Sequence, residues 1–134
     1  MGIRVVLDTN VLVSAFLNPR GAPASVVAAA LGGQLEVFYD GRILAEYVEV
    51  LHRPEFGIAA GDADAVIRRL RAKGLAVLPH PIAVDLPDPD DRVFLEIAEA
   101  VDAWVVTGNL KHFPGVRRAI GPRAFLDMMV PTND

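Results

Sequence analysis

At 134 residues the chain has the length of one domain, long enough to bury roughly two-thirds of the surface its unfolded form exposes. Its 52% hydrophobic content and positive mean hydropathy of +0.34 exclude a disordered chain, and the absence of cysteine excludes disulfides, thiolate nucleophiles and cysteine-held zinc or iron–sulfur sites. Thirteen basic against seventeen acidic residues leave a net charge of −4; a nucleic-acid substrate would therefore need bound metal to offset part of the repulsion.

The first element is a run of aliphatic residues from Ile3 to Leu7 that stops at Asp8-Thr9-Asn10. It reads as a buried strand whose carboxyl end delivers a carboxylate to the edge of a sheet, where ligands bind in open α/β folds. Asn10 to Leu17 has helical spacing and is broken by Asn18-Pro19-Arg20-Gly21. Ala22 to Leu31 is an alanine-rich helix, with Pro23 in its first turn and Gly32-Gly33 at its end. The longest uncharged stretch, Gly21 to Leu35, is shorter than the ~18 apolar residues of a membrane span and is interrupted by those same residues. With a strand rather than an export signal at its start, the chain is expected to be soluble and cytoplasmic, with no membrane partner.

Leu35 to Tyr39 is a second strand, ending at Asp40-Gly41. Arg42 to His52 carries Ile43, Leu44, Tyr47, Val48 and Leu51 as a core-facing helical stripe, with Glu46 just off it. Asp62 to Lys73 is another helix, with Val66, Ile67 and Leu70 inward and the basic cluster Arg68, Arg69, Arg71 and Lys73 outward. That cluster reads as a solvated face, RNA or partner contact being the sharper option. Leu75 to Leu78 is a third strand, followed by a proline-containing connection to Pro87. Asp88 then caps a helix that has Pro89 first and Asp90 and Asp91 in its opening turn. Ala103 to Thr107 is a fourth strand, Val116 to Ile120 a short edge strand, and Pro122 to Met129 a closing helix. Strands alternating with helices predict a three-layer α/β/α sandwich around a mostly parallel sheet of four or five strands.

In such a sheet the strand ends and helix starts share one edge. Asp8, the Thr107-Gly108-Asn109 turn, Asp90, Asp91 and, from its helix, Glu46 can all face it. Converging oxygen donors without cysteine describe a site for a hard ion such as Mg2+ or Mn2+, which suits metal-assisted hydrolysis of a nucleic-acid backbone. Each residue also has an ordinary reading: Asp90 and Asp91 as helix-start charges, Glu46 as a solvated side chain, Asp8 as a partner for a nearby backbone N–H, and Asn10 as an N-cap. His112 reads as a packing or hydrogen-bonding group. His52 and His80 have no evident partners, and Tyr39, Tyr47 and Trp104 fall in core patterns.

Four segments, taken together and in order, carry a resemblance: Val6-Leu7-Asp8-Thr9-Asn10-Val11-Leu12, Ile43-Leu44-Ala45-Glu46-Tyr47, Asp88-Pro89-Asp90-Asp91-Arg92-Val93-Phe94-Leu95 and Val105-Val106-Thr107-Gly108-Asn109. The chain resembles the PIN-domain family, most closely its branch related to VapC-type toxins of toxin–antitoxin systems. The resemblance implies a PIN-like fold over residues 1–134 and a Mg2+- or Mn2+-dependent endoribonuclease. It matches Asp8, Glu46 and Asp91 to the family's metal-holding acids, Asn10 to the residue that orients the first acid, and Thr107 to the threonine before the fourth acidic position. At that fourth position Asn109 replaces the usual aspartate, so a second metal should bind less tightly, with Asp90 or Asp88 as the compensating charge. The resemblance further implies an antitoxin partner and a homodimer. Two rivals remain at this point. One is a catalytically weakened binding module of the same fold. The other is a phosphatase or phosphoacceptor domain of flavodoxin-like architecture, against which stands the absence of an acid two residues after Asp8.

Overall fold

The computed structural model describes residues 2–129; Met1 and residues 130–134 of the expected domain lie outside the described residues. Ile3–Leu7 forms β1, and its Val5, Val6 and Leu7 are fully buried, as an apolar strand covered on both faces must be. After it come α1 (Thr9–Leu17), α2 (Ala22–Leu31), β2 (Leu35–Tyr39), α3 (Gly41–Leu51), α4 (Ala60–Lys73) and β3 (Leu75–Ala76). The chain then continues through α5 (Arg92–Val101), β4 (Trp104–Val106), β5 (Ala119–Ile120) and α6 (Pro122–Met129). The strands pair in the order β3-β2-β1-β4-β5, all parallel, so the expected α/β/α sandwich is present with five strands. Helices α1 to α4 pack on one another, whereas α5 lies against β1, β2 and β4.

The strand order reverses beside β1. The chain leaves β1 toward β2 and β3, then returns to build β4 and β5 on the other side. A crevice opens where neighbouring connections part in opposite directions. The register sets Leu7 beside Val106, which brings the next residues, Asp8 and Thr107, to the mouth of that crevice.

Local chemistry explains the element ends. Asp40 caps α3, its Oδ1 accepting the Ile43 N–H at 2.9 Å, and the buried stripe is Ile43, Tyr47 and Leu51. Val48, expected in that stripe, is 46% exposed because residues directly beside the stripe on a helix turn roughly 100° away from it. Gly74 ends α4 against the sheet, where a Cβ would lie only 2.8 Å from the Val37 carbonyl oxygen.

Several expected boundaries shift. The third strand is two residues long and not four, with Leu78 97% exposed. It is an edge strand, held past Ala76 only by the Val77 N–H donating to the Tyr39 carbonyl at 2.9 Å, where β2 itself ends. The fifth likewise narrows to Ala119–Ile120 and the fourth to Trp104–Val106, while α4 starts earlier, at Ala60. Asp88 does cap a turn, its Oδ1 accepting the Asp90 N–H at 2.9 Å. That turn is a 3-10 segment, Pro89–Asp91, and α5 proper begins at Arg92.

The fully buried Tyr47 donates its hydroxyl to the Leu7 carbonyl at 2.6 Å, tying α3 to the end of β1. Tyr47→Phe is expected to cost about 1 kcal/mol, the worth of a buried neutral hydrogen bond, read as a lower urea midpoint with an unchanged m-value.

Candidate active site

Asp8 follows β1 directly, its own N–H donating to the Val106 carbonyl at 3.0 Å, so the sheet itself fixes where the carboxylate emerges. Its Oδ2 accepts from the Thr107 hydroxyl at 2.8 Å and from Asn10 Nδ2 at 3.1 Å. Thr107, wholly buried, also accepts the Asn109 N–H at 3.0 Å. Asn10 Oδ1 accepts the Gly108 N–H at 2.9 Å. Two strand ends are thereby laced together around one carboxylate. Glycine is suited to position 108, where a Cβ would press on Asn10 Oδ1 at 3.3 Å.

Glu46 reaches the same edge from α3 and accepts a hydrogen bond from the Thr9 hydroxyl. Asp91 turns inward at the junction between the 3-10 turn and α5 and is 8% exposed, whereas Asp90 is exposed. Asp91 Oδ2 lies 2.9 Å from His112 Nδ1 and is buried with no other partner.

The electrostatics follow from crowding like charges in a dry place. Burial pushes the Asp8 carboxyl above its ordinary range, against the pull of the Thr107 hydroxyl and the N–H groups of Asn10 and Thr9. Burial raises Glu46 too, reinforced by the charges of Asp8, Asp90 and Asp88 and opposed by Thr9. Asp91 is raised to about 6 by burial and then by Asp8 and Asp88, with His112 acting the other way. These carboxylates are close enough to disfavour one another's ionisation.

Every candidate residue named from the sequence, Asp8, Asn10, Glu46, Asp90, Asp91, Thr107 and Asn109, is brought to this one edge. The donor set is all oxygen, which suits a hard divalent cation, and Asp91 Oδ2, whose one neighbour is His112, has acceptor capacity to spare. Among the described residues no three His, Asp or Glu side chains are placed to hold an ion as they stand; an ion held by all three acids would require the carboxylates to draw together.

Two contacts were not read from the sequence. His112, read as a packing or hydrogen-bonding group, has Asp91 as its partner, which the sequence did not name; the available signal was its position three residues past Asn109 on the same connection. Thr9 holds Glu46, and its place between Asp8 and Asn10 was the signal. His52, read as partnerless, bridges α3 and α4 through Nε2, 2.9 Å from Asp64 Oδ1.

The family model described as PIN domain matches residues 4–111. Over 110 residues the chain is 26% identical to the uncharacterized protein MJ1680 of Methanocaldococcus jannaschii, covering 80% of this chain and 71% of that protein. A chain in the crystal structure of VapBC2 from Rickettsia felis bound to a DNA fragment from their promoter superposes with a TM-score of 0.57 at 14% identity, covering 89% of this chain and 97% of that one. At that identity the likeness speaks to the fold alone.

Proposed function

The chain belongs to the PIN-domain family, and from that premise we propose that it is a Mg2+- or Mn2+-dependent endoribonuclease, with residues 1–134 acting as one nuclease domain. The observation that carries this reading is the meeting of Asp8, Glu46 and Asp91 at the switch point, where the charge of Asp8 bears on both other acids. Asp8, Glu46 and Asp91 would hold the ion, supported by Asn10, Thr107, Asn109 and Asp90. A bound divalent ion supplies charge stabilisation at the phosphodiester and makes water a stronger nucleophile at neutral pH. The chain's own residues do the positioning: Thr107 and Asn10 aim Asp8, Thr9 aims Glu46, and His112 braces Asp91.

We place the protein in the cytoplasm, in keeping with the observation that no helix among the described residues is long and apolar enough to cross a membrane. As partners we propose an antitoxin protein and a second copy of the chain. The first is supported by the fold shared with a chain of VapBC2. The second is supported by an apolar cleft of about 210 Å3 between α1 and α2, lined by residues that include Leu12, Phe16, Val27 and Leu31.

The test is incubation of a mixed RNA pool with the purified chain in Mn2+, Mg2+ or EDTA. Cleavage with either metal and none in EDTA is the expected result. Folded protein that cleaves under none of these conditions would overturn the nuclease reading in favour of a binding module of this fold. Asn109 bears on the same choice, because its amide brings no charge where the family pattern has an aspartate. Asn109→Asp is expected to tighten Mn2+ binding about tenfold, as one added charge-assisted ligand is worth roughly 1.5 kcal/mol, read by calorimetric titration.

A further inference from the structure

A cleft of about 480 Å3 opens between α3 and α5, within the roughly 300–1,000 Å3 range of small-ligand sites and roomy enough for one nucleotide unit. Glu46 and Asp90 belong both to this cleft and to the carboxylate edge, so the two spaces are continuous. Ala45 and Val93 contribute small apolar surfaces, and Arg42 and Arg92 also line the cleft.

The two arginines differ. Arg42 is anchored: its guanidinium lies 2.7 Å from Asp40 and 2.8 Å from Glu96, and the Glu96 carboxylate in turn accepts the Ile82 N–H at 3.3 Å. Burial pulls the Arg42 guanidinium toward losing its proton, but these two carboxylates outweigh it and hold it charged. Arg92 has no such anchor. It takes part in none of the ion pairs formed among the described residues, and its Nε is buried without a hydrogen-bond partner. The buried Nε fixes the base of the guanidinium, while the side chain as a whole is only partly buried and lines the cleft. The other acids of the cleft are already engaged, Glu96 by Arg42 and Glu49 by Arg53 at 3.3 Å. Arg92 is thus the cleft's one guanidinium outside any ion pair, with Asp90 and Glu46 as the acids beside it.

We infer that this cleft is a strand-binding subsite of the proposed nuclease, on whose reading the inference rests, and that Arg92 grips the RNA phosphodiester next to the one being cleaved. The planar guanidinium suits two oxygens of one phosphate, and Arg42, pinned by its carboxylates, borders the same path as a fixed donor. A negatively charged chain thereby gains one local attraction for RNA that does not depend on metal.

The test has two arms. In the first, fluorescence polarisation measures a labelled, mixed-sequence single-stranded RNA oligonucleotide on the Asp91→Asn protein, with and without the additional Arg92→Ala or Arg92→Lys change. Arg92→Ala is expected to weaken binding about tenfold and to lower the slope of log affinity against log salt by about 0.7, the share of one single-strand phosphate contact. Arg92→Lys retains the charge without the fork and should lose about threefold. In the second arm, cleavage in Mn2+ by the otherwise unmodified chain should show the Arg92→Ala loss in KM rather than in kcat. Melting temperatures check that each variant is folded, and Arg92→Lys serves should the alanine variant not be.

Binding and salt slope unchanged by both Arg92 variants would overturn the subsite, even if the unmodified chain cleaves RNA. Arg92-dependent binding by a chain that never cleaves would uphold the subsite and overturn the nuclease reading instead.

Discussion

Asp8→Asn is expected to abolish metal-dependent RNA cleavage while leaving the fold intact. Asparagine keeps an oxygen where Asp8 Oδ2 accepts from Thr107 and Asn10 at 2.8 and 3.1 Å, so the lacing of the two strand ends survives. What is lost is a charge held in a buried place. Burial already pushes this carboxyl toward its neutral form, so removing the charge should leave the melting temperature of the metal-free protein equal or higher. Activity should fall at least about a thousandfold, since charge stabilisation by a catalytic ion is worth several kcal/mol and each 1.36 kcal/mol is a factor of ten. The measurement pairs a cleavage rate in Mn2+ with a thermal melt. Full activity in the variant would remove Asp8 from the proposed site, and an unfolded variant would show that the strand lacing depends on the charge.

Asp91→Asn should act as strongly on cleavage and also leave a signature in stability against pH. The folded carboxyl sits at about 6, lifted from 3.8 by burial and by Asp8 and Asp88. A group whose pKa is raised on folding binds its proton more tightly in the native state, so its contribution is fully present below about pH 4 and is lost as the pH rises through about 6. The metal-free chain should accordingly lose stability between those values on this group's account. Asp91→Asn should flatten that part of the profile and raise the neutral-pH melting temperature by about 3–6 °C, the shift that one to two kcal/mol produces in a domain of this size. Saturating Mn2+ should raise the melting temperature of the unmodified chain by mass action and leave that of the variant almost unmoved. A variant stabilised equally by Mn2+ would take Asp91 out of the ligand set.

Local pattern carried much of this molecule. The period of Ile43, Tyr47 and Leu51, the Asp40 cap, the continuous apolar run of β1 and the proline and glycine punctuation all act within a few residues of one another, and each is recovered in the structure. Where the pattern misled, a neighbour distant in sequence had intervened or was lacking. Leu75 to Leu78 has strand-like residues, but as a sheet edge it pairs only through Phe38 and Tyr39. Asp90 and Asp91 are interchangeable by spacing. The 3-10 turn opening α5 separates them, leaving Asp90 exposed and Asp91 8% exposed beside His112.

The sequence by itself determined the α/β alternation, the family and which acids stand at strand and helix ends, because those properties follow from propensity, period and motif within short windows. Tertiary structure alone decided how the acids meet. Asp8 and Thr107 lie 99 residues apart and share a hydrogen bond only because β4 pairs with β1 on the side away from β2. Arg92 borders the same cleft as Arg42, 50 residues away in the chain, only because α3 and α5 pack side by side. Burial, pKa and pairing depend on which surfaces face each other across the sheet, and that is a property of the packed chain rather than of any stretch of it.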